Sequence, residues 1–473
     1  MTITLGGQWL RYVIQIATLV LLSRLLSAAD YGVMAMVTAV VGVAGIIGDF
    51  GLSMAAIQRV DLNRRQASNL FWINVAIGGL LGLGVLLIGP LLVSFYHEPA
   101  LAGICAVMAP TFLLSGISAQ FRAETTRSLK FRWLSIVDVS AQAAGLVVAA
   151  SIAFAGGGYW ALVSMQVTLS VANLVLLTIA SGWRPLLPQR TGGMKSLLTF
   201  GGSTVATQAV NYTSSNLDYV LIGRDWGSAD LGVYTRAFQI FALPLDQLAA
   251  PLTRVALPIL SRLSDSAQYI RYIRRSQLVL SYLLVGVLAG CASTAAPLLS
   301  VVLGPQWVGG AIYLQILAIG GTFQALGYVY YWIFLSKGKM AILFWCELSG
   351  RLLMVGMLIV LVPLSPVFAA ISVSSGLFAI WLTVSILGLR RVDIPFMKIT
   401  APAIRPLTLY TTMYIVVQLA RLGLESAHIT DPLTTFITLA LVCVAWVSLS
   451  LFFRPIKNDI ATIVSTAKLV RKL

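Results

Sequence analysis

Charge is scarce in this chain. Asp, Glu, Lys and Arg together make up 10% of its 473 residues, against about a quarter in a soluble domain. That scarcity, with 58% hydrophobic residues and a mean hydropathy of +0.90, excludes a soluble enzyme, a disordered chain and a coiled coil. Histidine and cysteine are nearly missing too. The two histidines, His97 and His428, are too few and too far apart for a metal site. Cys105, Cys291, Cys346 and Cys443 form no CxxC, fall within apolar runs and read as packing residues. No GxxxxGK[ST] loop is present, so nothing predicts ATP binding. The apolar runs do not alternate with polar residues, which argues against a transmembrane barrel.

What is present is a succession of apolar runs, each about as long as the 20 residues a helix needs to cross a bilayer. They predict an all-α integral membrane protein of about 14 transmembrane helices, as two six-helix lobes plus two C-terminal helices. The segments are an N-terminal lobe over 1–195, a C-terminal lobe over 196–400, two further spans over 401–455 and a basic tail over 456–473. The first run carries Arg11 and is too long for a signal-peptide core, so it is expected to stay as a span. The tail has the pattern of an amphipathic helix lying on an anionic leaflet.

The net charge of +16 is placed by this frame. Alternate loops and the tail collect most of the cations: Arg59, Arg64 and Arg65; Arg122, Arg127, Lys130 and Arg132; Arg184, Arg190 and Lys195; Arg262, Arg271, Arg274 and Arg275; Lys337 and Lys339; Arg390, Arg391, Lys398 and Arg405; and Arg454, Lys457, Lys468, Arg471 and Lys472 in the tail. The opposite loops hold Arg24, Arg224 and Arg421. This is the positive-inside bias, with both termini in the cytoplasm. The basic balance therefore reads as a topology signal and not as a nucleic-acid footprint.

The chain repeats itself. Arg24, Ala29, Asp30, Gly32 and Val33 recur as Arg224, Ala229, Asp230, Gly232 and Val233 at a constant offset of 200 positions. Gly6-Gly7 similarly has a counterpart in Gly201-Gly202. Each motif sits between the first two spans of its half. Asp30 and Asp230 are placed to N-cap the helix that follows, and Arg24 or Arg224 to pair with the Asp or close the helix before. Two similar lobes flanking a cleft is the organisation of an alternating-access transporter.

Polar residues within spans are costly and mark cavities or partners. In the eighth run, Arg236 and Arg254 are five helical turns apart on one face, about 27 Å along the axis. Gln239, Asp246 and Gln247 lie on or beside that face, and Pro244 and Pro251 suggest a bend. Gln8, Arg11, Gln15 and Thr18 form a stripe on the first run. Thr204, Gln208, Asn211, Ser215 and Asp218 form one on the seventh, and Thr38, Gly42, Gly45 and Asp49 one on the second. Arg11, Gln15, Asn211, Arg236, Gln239, Gln247 and Arg254 are the candidate substrate-binding residues. The alternative is that such side chains glue helices together. Guanidinium groups match phosphate oxygens, so the cargo predicted is anionic. Asp49, Asp218 and Asp246 are candidates for coupling to H⁺ or Na⁺. Asp138 reads as structural, helped by a helix dipole, and Glu347 with Arg351 as a self-neutralising i,i+4 pair. Tyr328, Tyr330, Tyr331 and Trp332 read as an interfacial belt, with a sugar-stacking platform as the alternative.

Two patches carry a resemblance. Ser23-Arg24-Leu25-Leu26-Ser27 leads to Asp30-Tyr31-Gly32. Asn216-Leu217-Asp218-Tyr219-Val220-Leu221-Ile222-Gly223 leads through Leu231-Gly232-Val233-Tyr234 to Val255-Ala256-Leu257-Pro258-Ile259-Leu260-Ser261-Arg262. In these, and in length and repeat, the chain resembles the polysaccharide-export branch of the multidrug/oligosaccharidyl-lipid/polysaccharide flippase superfamily. The resemblance implies a flippase for undecaprenyl-diphosphate-linked oligosaccharide in the bacterial inner membrane, with no resident cofactor. It also implies work beside polysaccharide polymerase machinery. A lipid II flippase and a cation-coupled drug exporter are the alternatives within the superfamily. A membrane glycosyltransferase or polymerase is the enzymatic one; it would want a catalytic outer loop that the chain does not offer.

Overall fold

A computed structural model describes residues 2–58, 63–189, 208, 211–263, 265–392, 394–427 and 431–472; at 2–5, 47–58, 250, 251, 255 and 464–472 it describes backbone but not side chains. The regular secondary structure among the described residues is helical, with no strand. Packing divides the chain into two compact units, Met1–Gly232 and Val233–Leu473, a different cut from the span-based one at 195/196.

The first unit contains α1 (Thr2–Leu25), α2 (Ala28–Gln58), α3 (Arg64–Tyr96), α4 (Ala100–Arg127), α5 (Phe131–Phe154) and α6 (Trp160–Ser181). Then comes α7 (Leu217–Arg262), whose first part belongs to this unit. Of the expected seventh run, 197–223, residues 208 and 211–223 are described and the rest lie outside the described residues. Among the described residues twelve helices are long and apolar enough to span a bilayer. α1 is not one of them, although it is a 24-residue helix. Gln8, Arg11 and Gln15 lower its hydropathy.

α3 and α4 meet at backbone distance. A Cβ on Gly78 would approach the Phe112 carbonyl oxygen at 2.6 Å, and one on Gly82 the Ala109 carbonyl oxygen at 2.6 Å. Small residues four apart let membrane helices close on each other by dispersion contact. After α6 the chain, without helix or strand, runs along α3. The Trp72 indole N–H donates to the Leu186 carbonyl at 2.9 Å, and the Asn69 side chain exchanges bonds with the Gln189 backbone at 2.6 and 3.0 Å. Lys130 closes the C-terminus of α6, donating to the carbonyls of Ala180 and Ser181 at 3.2 and 3.1 Å, where the helix dipole favours a cation.

The second unit continues through α8 (Ser266–Leu280), a π turn, α9 (Gly286–Ser293), α10 (Ala295–Val302), α11 (Ala311–Ser336), α12 (Met340–Leu361) and α13 (Val367–Thr383). It ends with α14 (Phe396–Ser426), α15 (Pro432–Ser450) and α16 (Arg454–Lys472). The helices overrun the apolar runs. α14 begins ten residues before the run expected at 406–421 and takes in Arg405. α8 carries Arg271, Arg274 and Arg275, which read as loop residues in the sequence. Long cationic side chains let a helix continue past its apolar stretch. α16 is the tail helix. The four cysteines are free.

Candidate functional site

The two copies of the repeated motif touch each other within the first unit. A Cβ on Gly32 would fall on the Ser228 carbonyl oxygen, and one on Gly232 on the Ala28 carbonyl oxygen. Ala28 and Ser228 are equivalent positions, as are Gly32 and Gly232, so the contact is reciprocal. The break before each second helix is conserved in place but not in chemistry. In the first half, Ser27 N donates to Asp30 Oδ2 at 2.9 Å and Asp30 N to Ser27 Oγ at 3.2 Å. Ser27 is thus the N-cap and Asp30 the residue three positions on that bonds back to it. This corrects the expectation that Asp30 caps the helix itself. In the second half Gly227 takes the position of Ser27, with φ 81° and ψ −174° inside α7. The non-helical backbone within α7 is at this glycine, and the residues at Pro244 and Pro251 are helical. Arg24 closes the last turn of α1. Arg224 approaches Asp225 at 3.9 Å, not Asp230, and lies over the Phe95 ring at 5.3 Å.

Arg11 enters a charged cluster built from four helices. Its Nη1 is 3.7 Å from Asp138 Oδ2 on α5. Arg122 on α4 donates to Asp138 Oδ1 at 2.8 Å and to Asn173 Oδ1 on α6 at 3.0 Å. One carboxylate faces two guanidinium groups, so the cluster keeps positive charge. Arg11 is 50% exposed and Asp138 26%. Asp138 was expected to answer a helix dipole; it lies two turns inside α5 and answers two cations. Arg122 was assigned to a loop because the apolar run ends at 121, yet α4 continues to Arg127. Asn173 gave no sequence signal.

The other stripes are distributed as follows. Thr18 and Thr38 bond to carbonyls of their own helices at 2.7 and 3.0 Å. The notch left by Gly42 holds Tyr212, whose hydroxyl donates to the Thr38 carbonyl at 2.7 Å. Gln15 is half-buried and Asn211 exposed. Asp218 is buried, its Oδ1 accepting from Tyr219 N at 3.0 Å. The side chain of Asp49 and the residues Thr204, Gly201, Gly202 and His428 lie outside the described residues. In the second unit Arg236, Gln239 and Gln247 are half-buried, and Asp246 and Arg254 are exposed.

The second unit also holds an aromatic cavity of about 280 Å³. Phe323, Tyr328, Tyr331 and Trp381 line it together with Glu347 and Arg351. Thr253 brings α7 to its wall and accepts the Trp332 indole N–H at 2.8 Å. Asp246 interacts electrostatically with Tyr328. Spacing placed Glu347 and Arg351 on one helix face and left the tyrosines between an interfacial belt and a sugar-stacking platform. Packing places them around one space. A ring face with a carboxylate and a guanidinium beside it offers apolar stacking and hydroxyl recognition together.

A profile of the family described as polysaccharide biosynthesis protein matches residues 21–312. The chain belongs to this family. The match spans both copies of the repeated motif and bears out the resemblance to the polysaccharide-export branch. Among similar proteins is the teichuronic acid biosynthesis protein TuaB of Bacillus subtilis (strain 168), 29% identical over 73% of this chain and 74% of its own length. The lipopolysaccharide biosynthesis protein WzxC of Escherichia coli (strain K12) is 23% identical over 68% and 66%. The succinoglycan biosynthesis transport protein ExoT of Rhizobium meliloti (strain 1021) is 23% identical over 71% and 68%. Among solved structures, the lipid II flippase MurJ in an inward closed conformation superimposes with a TM-score of 0.74, covering 96% of this chain and all of that one at 11% identity. An inward-facing multidrug MATE transporter gives 0.61, over 81% and 94%, at 13% identity. At these identities the likeness is one of fold: a multi-pass helical membrane protein.

Proposed function

We propose that the chain carries an undecaprenyl-diphosphate-linked oligosaccharide repeat unit across the bacterial inner membrane by alternating access. The observation that carries this reading is the aromatic cavity with Glu347 and Arg351 inside a unit of membrane-length helices, in a chain of the polysaccharide biosynthesis family. Sugars stack their apolar faces on aromatic rings while their hydroxyls meet charged or amide groups. Diphosphate oxygens suit guanidinium forks. Arg11, backed by Arg122, and Arg236 and Arg254 are assigned to the diphosphate at separate points along its path. Gln15, Asn211, Gln239 and Gln247 are assigned to polar contacts with the headgroup.

The work is transport, with no covalent step. The acids Asp49, Asp218 and Asp246 are the candidates through which an H⁺ or Na⁺ gradient would drive it. Both termini face the cytoplasm in this reading, and a polysaccharide polymerase receives the product on the far side. Names of relatives point to teichuronic acid, lipopolysaccharide and succinoglycan, all polysaccharides, which favours this over lipid II or drug transport. In cells lacking the chain, the lipid-linked repeat unit should accumulate on the cytoplasmic face, out of reach of an added outside glycosidase. Normal exposure of that lipid on the outer face would refute the assignment.

A further inference from the structure

The second unit carries a basic pocket away from the aromatic cavity. α8, α14 and α16 surround a space of about 400 Å³. Arg271, Arg274, Arg275 and Arg405 line it, with Asp459 as the one carboxylate among its lining residues. Asp459 is buried and anchors the tail helix: its Oδ1 accepts from Arg405 at 3.0 Å and its Oδ2 from the Tyr282 hydroxyl at 3.1 Å. Its charge is therefore answered by Arg405. Arg271, Arg274 and Arg275 stand at i, i+3 and i+4 on one helix face, where like charges repel. A bound anion would relieve that repulsion.

Arg405 also borders a second space, an open groove of about 440 Å³ between α14, α15 and the start of α16. Leu409, Trp446, Leu449 and Phe453 form its walls. Leu449 is 58% exposed and Phe453 66%. A guanidinium-rich pocket joined through one arginine to an apolar groove is complementary to an amphiphile with a phosphate head and a long chain. The cationic loops place this end of the chain at the anionic inner leaflet.

We propose that these two spaces form one binding site for an anionic phospholipid, the phosphate held among Arg271, Arg274, Arg275 and Arg405 and an acyl chain along the Leu409–Phe453 groove. The site is separate from the aromatic cavity and does not depend on what the chain transports. It gives the tail helix a lipid underlay in addition to its bond through Asp459.

The test uses the full chain in nanodiscs of phosphatidylcholine containing a minor fraction of phosphatidylglycerol, with retained lipid counted by native mass spectrometry. Wild type should retain phosphatidylglycerol selectively. Arg275→Gln should lower that retention about fivefold, and the triple Arg271→Gln/Arg274→Gln/Arg275→Gln about a hundredfold. A charge-matched control, Arg132→Gln/Lys339→Gln/Arg390→Gln, should stay within about twofold of wild type. Thermal melting in pure phosphatidylcholine checks that each variant is folded, and the single variant carries the test should the triple fail to fold. Retention unchanged in Arg275→Gln, or equal losses in the control, would overturn the proposal. So would displacement of the lipid by inorganic phosphate alone, which would mean a bare anion site. Retention of added undecaprenyl diphosphate in place of phosphatidylglycerol would overturn it as well, making the pocket part of the substrate path.

Discussion

Gly32 and Gly232 lie at one helix crossing, where a backbone carbonyl from the other copy of the motif occupies the room that a Cβ on each would need. Gly32 lies against the Ser228 carbonyl and Gly232 against the Ala28 carbonyl. The repeated sequence is therefore a structural contact between its own two copies. Its conserved spacing follows from geometry: shifting either copy by one residue would turn the glycine away from the carbonyl it must clear.

Gly32→Ala or Gly232→Ala should each push this crossing apart and cost about 1–3 kcal/mol of stability. Because both methyl groups widen the same crossing, the double variant should cost less than the sum of the singles. Thermal melting in detergent measures this. Additive losses would mean that the two glycines act independently.

Asp138→Asn should leave Arg122 and Arg11 without their shared carboxylate. The ion pairs are partly exposed, so folding should lose only about 1 kcal/mol. Transport should fall much further, about tenfold or more, if the arginines must be aimed at a phosphate. Flipping rate set beside melting temperature separates the two effects. Equal, small losses in both would reduce the cluster to helix packing.

Most of the secondary structure and the repeat were legible in the sequence, because bilayer length and a fixed offset are one-dimensional signals. Partnerships were not. Arg122, Asp138 and Asn173 come from three helices, and no spacing links them. The helix ends were misplaced wherever a cation was taken for the end of a span, as at Arg122, Arg271 and Arg405. The cap at Ser27 was hidden because the repeated Asp30 drew the capping role, while its partner position in the second copy is Gly227. The sequence left Tyr328 and Tyr331 between an interfacial belt and a sugar-stacking platform, because composition does not show that they line one space with Glu347 and Arg351.

Trp381→Ala and Glu347→Gln should impair movement of the lipid-linked sugar while leaving a fluorescent prenyl diphosphate without sugar unaffected. The cavity that they line is assigned to the oligosaccharide and not to the diphosphate. Competition between the two lipids in reconstituted vesicles reads this out. Parallel loss for both would place the cavity's role in the conformational cycle.

Asp431 caps α15, accepting from Thr434 N at 2.8 Å and from the Thr434 hydroxyl at 2.7 Å. These bonds to the ionised form hold its carboxyl below the usual range. A depressed value means the cap contributes fully above the ordinary carboxylate range and is lost as pH falls below it. Hydrogen exchange at the start of α15 should thus be faster in Asp431→Ala than in wild type at neutral pH. The two should converge as pH falls well below the usual carboxylate range. A difference that persists in acid would show that the carboxylate is not the source.

Single cysteines at Glu98→Cys and Lys339→Cys should label from opposite faces of the membrane in intact cells, Glu98→Cys from outside. Labelling of both from one side would break the alternation of cationic and neutral loops on which the orientation rests.

The central claim is tested most directly by purified chain in sealed vesicles, with a fluorescent undecaprenyl-diphosphate oligosaccharide and a membrane-impermeant quencher. The account predicts that the protein moves the inner-leaflet fraction into reach of the quencher. It also predicts that Arg236→Ala or Arg11→Ala slows this about tenfold or more without preventing insertion. No movement by wild type under an imposed H⁺ or Na⁺ gradient, or wild-type rates in both arginine variants, would contradict it.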